Sequence, residues 1–211
     1  MKKFFMSIPT GVRLILAATT VCYITALLLG HYRVCDLYAW LALSPPDVWH
    51  GHVWQLLTYW MLPGGWLPYV LNVTFFLMMA PILEKEWSRR ELWLFCLVNA
   101  VGAGLAKTLI PTAGGMAGML AINYGLLVAW IKMFRYEKVL FLGRWPASVW
   151  TMAVVVVIIS LLLSYPCGLI NALLSLFGAV SAWIYLTTRW KKNMSGRASA
   201  HASERINRLE F

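Results

Sequence analysis

Four histidines, His31, His50, His52 and His201, are the imidazoles of the chain. A hydrolytic Ser–His pair needs one of them within hydrogen-bond reach of a serine hydroxyl. Ser160, Ser175 and Ser181 lie in strongly apolar stretches, whereas His31, His50 and His52 fall in or beside the aromatic segment 31–66, and His201 in a basic C-terminal tail. No buried base is therefore expected for any of these serines. In "DVWHGHVW", Asp47, His50 and His52 carry metal-binding side chains. Histidines two apart without a further cluster make a thin ligand set, and the flanking tryptophans fit an interfacial loop better, so neither metal nor cofactor is expected. A glycine-rich stretch, GGMAG at residues 114–118, opens the apolar run GMLAINYGLLVAW. Its glycines permit close backbone approach, but Ala117 offers only a methyl group, which cannot attack a carbonyl.

The elements that must position these residues are dictated by composition. Of 211 residues, 61% are hydrophobic and 12% charged, with a mean hydropathy of +0.69. About a quarter of an ordinary soluble domain is charged, so the solvent for most of this chain is lipid. Six stretches approach the roughly 20 apolar residues that cross a hydrocarbon core: Val12 to Gly30, Leu67 to Leu83, Leu92 to Ile110, Gly115 to Phe134, Ala147 to Ser164 and Gly168 to Thr187. The second begins with Pro68, which a helix tolerates in its first turn.

Charge placement sets the orientation. With the N-terminus in the cytoplasm, 16 of the 18 Lys and Arg lie inside, and only Arg33 and Lys107 outside. The positive-inside rule demands this asymmetry, and an odd number of spans would strand the basic tail on the wrong side. Six spans with both termini cytoplasmic are expected, as a membrane domain over 1–188 followed by a basic tail over 189–211. The net charge of +10 is then explained by anionic headgroups, without nucleic acid.

The outer segment from His31 to Trp66 is dense in Trp and Tyr, which suits headgroup depth. "RYEKVLFLGRWP" reads as a short interfacial helix ended by Gly143 and Pro146. Cys35 and Cys167 share the outer side and would pair only in an oxidising compartment. Asn72, Asn99, Asn123 and Asn171 each fall in a span, where an amide needs a partner on another helix. Gly102, Ala103, Gly104 and Ala106 give the third span a smooth face, as Gly178 and Ala182 do for the sixth. Glu84 with Arg89 or Arg90 reads as a charge cluster at the membrane edge.

"VWQLLTYWMLPGGW", "LNVTFF", "ILEKEWSRRELWLF", "NAVGAGLAK", GGMAG and "NALLSLFGAVSA" follow one another in order over residues 50–188. In this order and spacing the chain resembles the rhomboid family. The resemblance implies an all-α bundle of six transmembrane helices with a long interfacial first outer loop. It also implies a serine nucleophile in the glycine turn of the fourth span, a histidine base on the sixth, and an oxyanion hole from a His/Asn pair on the second. Gly115 and Gly118 match the turn, but Ala117 stands at the nucleophile, Ser175 at the base three residues before the matching Gly178, and Pro68 at the oxyanion histidine. Only Asn72 of that set is retained.

The resemblance therefore points to a non-enzyme. The expected function is a non-catalytic, rhomboid-like protein that binds other integral membrane proteins, as a subunit or scaffold of a membrane complex or as a client-binding quality-control factor. Asn72, Gly115, Gly118, Ser175 and Gly178 are the candidate groove residues. The alternative is an intramembrane serine protease with a rearranged active site. A transporter would want intramembrane charge, which is nearly absent. The compact chain with short cytoplasmic ends suggests a bacterial inner membrane.

Overall fold

The computed structural model describes residues 8–32, 36–110, 114–133, 138–141, 145–164 and 170–189. Arg33, Cys35, Cys167, His201 and nearly all of the basic tail lie outside the described residues. Six longer helices coincide with the six apolar stretches: α1 (Thr10–His31), α5 (Trp66–Glu86), α6 (Arg89–Leu109), α7 (Leu120–Met133), α8 (Val149–Ser164) and α9 (Ile170–Arg189). Three short helices lie between α1 and α5: α2 (Leu37–Leu41), α3 (Pro45–Trp49) and α4 (Gln55–Thr58), the last running into a 3-10 turn over Tyr59–Met61. By length and apolarity, α1, α5, α6 and α9 can each cross a membrane. Among the described residues the chain is an all-α membrane protein but for one short antiparallel strand pair.

Local sequence explains the helix starts. Ser88 accepts a hydrogen bond from the Glu91 N–H at 3.3 Å, so S-x-x-E caps α6. Asp36 does the same for α2 through Tyr38 and Ala39. Pro45 and Pro46 occupy the first turn of α3, where their missing N–H is not needed. Pro68 likewise sits in the first turn of α5.

The core is built around α7. Ala121 to Leu127, Ala129 and Trp130 are all buried, against Phe76, Met79 and Leu83 of α5 and Phe95, Cys96 and Ala100 of α6. Conversely, Val21, Ile24 and Leu28 on α1 and Leu173, Phe177, Val180 and Ile184 on α9 are exposed. Such apolar faces suit lipid or another apolar helix, not water.

Two expectations are corrected. The fourth apolar stretch is not helical from Gly115: α7 starts at Leu120 and has 14 residues, a length of about 21 Å, and GGMAG is a non-helical segment in front of it. "KVLF" and "WPAS" form strands β1 (Lys138–Phe141) and β2 (Trp145–Ser148), paired from Lys138 with Ser148 to Phe141 with Trp145, instead of an interfacial helix. Val, Leu, Phe and Trp favour a short strand pair here, and in two strands Pro146 can sit without interrupting a central ladder.

Candidate functional site

Gly114 and Gly118 hold φ of +81° and +107°, the left-handed region in which glycine is at ease and a side chain is strained. Between them the turn is fixed from three sides. Met116 exchanges both backbone hydrogen bonds with Leu43, between α2 and α3, at 2.8 and 2.9 Å. Its neighbour Gly115 is close-packed, since a Cβ there would meet the Leu43 carbonyl oxygen at 3.2 Å and would have to push the bridged backbone aside slightly. The Gly118 N–H donates to the Tyr59 carbonyl at 3.1 Å, and Asn171 Nδ2 on α9 donates to the Gly115 carbonyl at 2.9 Å. Tyr59 is itself anchored: its buried phenol donates to the Ala100 carbonyl at 2.9 Å, and burial pushes its pKa well up, keeping it a donor.

In front of this turn lies a cavity of about 200 Å³, lined from α5 by Pro68, Leu71, Asn72 and Phe75, from the turn by Gly115 to Gly118, from α8 by Ile159 and Ser160, and from α9 by Asn171, Ala172 and Ser175. Pro68, Asn72, Gly115, Ala117, Gly118 and Ser175, far apart in sequence, thus line one cavity. Gly178 does not. A methyl group there would collide with the backbone carbonyl of Ala121, so Gly178 seats α9 on α7 below the cavity.

Residues 13–205 match the family described as "Eukaryotic integral membrane protein (DUF1751)". The chain belongs to this family. No curated protein matches it. The family's description agrees with the apolar helices in making this a multi-pass integral membrane protein. Being a eukaryotic description, it does not fit the bacterial inner membrane suggested by the compact chain.

In this member of the family, the chemistry within the cavity is limited. Ser175 is 2% exposed and donates its hydroxyl hydrogen to the Asn171 carbonyl at 2.8 Å, one turn back in its own helix. His50 bonds through Nδ1 to the Pro46 carbonyl at 2.7 Å, His52 stacks on Trp54 at 4.6 Å, and His31 closes α1 beside Tyr32. None of these three lines the cavity. Asp47 engages His52 only through backbone.

The intramembrane amides find partners across helices. Asn123 Nδ2 on α7 donates to Asn72 Oδ1 at 2.8 Å and to the Asn72 carbonyl at 3.2 Å, joining α7 to α5. Asn99 accepts from Ser181 at 3.4 Å and lies against Gly125, whose missing side chain makes room for it. Lys107, in the last turn of α6, is buried, and its Nζ donates to Asn171 Oδ1 at 2.9 Å. Lys107, Asn171 and Gly115 therefore link α6 through α9 to the turn. Sequence reading misses this relay and the Leu43–Met116 bridge. The cost of a lone cation in lipid was the one signal that Lys107 must have a partner.

Proposed function

We propose that this chain is a non-catalytic, rhomboid-like protein of six spans with both termini in the cytoplasm, which binds other integral membrane proteins at the cavity in front of GGMAG. One observation carries the reading. Ala117 and Ser175 line one cavity, and the two positions where the resemblance demands a nucleophile and a base thus hold a methyl group and a hydroxyl already bonded to its own helix. A pocket beside a turn clamped from three sides, with no histidine or carboxylate among its described lining residues, suits recognition of another chain better than its cleavage. In a membrane, packing and interhelical hydrogen bonds drive such association, and Leu71, Phe75, Asn72 and Asn171 supply both.

The test is a photo-crosslinking amino acid in place of Phe75, with Val21 on the lipid face of α1 as control. Phe75 is expected to capture one or a few membrane proteins that Val21 does not. Identical capture from both positions, or lipid alone from Phe75, would overturn the reading. A rearranged protease is the second reading, favoured by the Ser160 and Ser175 hydroxyls on the cavity wall. It requires cleavage of a model transmembrane substrate that is lost on Ser175→Ala.

A further inference from the structure

At one end of the bundle Glu84 draws three helix ends together. Its carboxylate accepts the Gly11 and Val12 N–H groups of α1, both at 2.7 Å. A methyl group on Gly11 would meet the Arg89 Cγ at 2.8 Å, so the stem of Arg89 at the start of α6 lies on the same turn. Arg13, Lys85, Arg89 and Arg90 are exposed at this junction. Among the described residues the side chains of Lys85, Arg89 and Arg90 have no hydrogen bond or ion pair, and Arg13 has only a 3.3 Å bond to Thr10. The nearby acids are largely committed: Glu84 is buried under α1, and Glu91 faces Arg189 at 3.6 Å. Glu86 remains as the exposed carboxylate. Trp87, half-buried on Phe95 with ring centroids 5.1 Å apart, lies at the same level, and tryptophan marks headgroup depth. Just inside, Leu14 and Ile82 are exposed on α1 and α5.

We propose that this junction binds an anionic phospholipid, its phosphate held by Lys85, Arg89 and Arg90 and an acyl chain laid along Ile82, one turn before Lys85 on the same helix. Guanidinium forks match phosphate oxygens in geometry and charge. Exposed Ile82, on the same face of α5 as Lys85, selects a lipid over a free phosphate. The inference rests on α1, α5 and α6 spanning the membrane and is independent of what the GGMAG cavity holds.

The experiment is native mass spectrometry of the full-length protein released from detergent with phosphatidylglycerol or phosphatidylcholine. Retention of phosphatidylglycerol is expected to exceed that of phosphatidylcholine and to fall about fivefold for each cation removed, in Lys85→Gln and in the Lys85→Gln/Arg90→Gln double variant. Both positions are exposed, and the single variant gives the reading should the double one fail to fold. Equal retention of the two lipids, or an unchanged preference in Lys85→Gln, would overturn the proposal. So would displacement of phosphatidylglycerol by glycerol 3-phosphate at equal concentration, which would reduce the site to a general anion site.

Discussion

Glu84 illustrates how a residue's type can be legible while its task is not. Its sequence neighbours suggest a charge cluster with Arg89 or Arg90, but its oxygens go to backbone N–H groups 72 and 73 positions away. The reason lies in α1, whose N-cap is Pro9, a residue with no side-chain acceptor. The first N–H groups of a helix are orphans, and a carboxylate there also meets the positive end of the helix dipole. Glu84→Gln keeps the shape but removes the charge and turns one acceptor into a donor aimed at an N–H. We expect a loss of about 1–3 kcal/mol, read as a fall in Tm of several degrees in detergent. An unchanged Tm would mean that the contact with α1 adds nothing to stability. The same limit applies to Lys107 and Asn171: each is visible as a polar residue in lipid, yet nothing local says that they bond to each other and onward to Gly115.

At the scale of elements, hydropathy locates all six long helices because each is an apolar run bounded by charged or turn residues. It cannot find where α7 begins. GGMAG and the helix after it are equally apolar, and the break comes from the positive φ of Gly118 and the backbone bridge to Leu43, a partner more than 70 residues away. The strand pair after α7 was missed for a related reason, since short apolar runs carry no period long enough to separate strand from helix. Gly178 shows what a small residue can mean between elements. The resemblance groups it with Ser175, but its bare face is occupied by the Ala121 backbone, which cannot yield as a flexible side chain would. Gly178→Ala is therefore expected to push α9 off α7 and cost about 1–3 kcal/mol. Gly30→Ala, on α1 with nothing within 4 Å of the added methyl, is expected to be neutral or slightly stabilising. Equal Tm values for the two variants would contradict the close helix contact.

For the whole molecule, the proposed topology decides which surface is available to partners on each side of the membrane. α7 is too short to cross alone, and its burial among α5, α6, α8 and α9 means that lipid-facing helices surround a central one that lipid does not reach. A four-span arrangement from α1, α5, α6 and α9 would also leave both termini on one side, so counting long helices cannot separate it from six spans. The strand pair can. With α7 and α8 both crossing, residues 138–148 are cytoplasmic with Lys138 and Arg144, and the positive-inside bias holds; without those crossings they lie outside with the Arg33 loop. A cysteine at Lys138, in a background where Cys22, Cys35, Cys96 and Cys167 are replaced by serine or alanine, is expected to resist a membrane-impermeant maleimide in intact cells or sealed right-side-out vesicles and to react once the membrane is permeabilised. A cysteine at Trp49, exposed in the outer loop, should react in both conditions. Labelling at position 138 before permeabilisation would place the strand pair outside, remove the six-span topology, and put the proposed lipid-binding junction and the strand pair on opposite faces of the membrane.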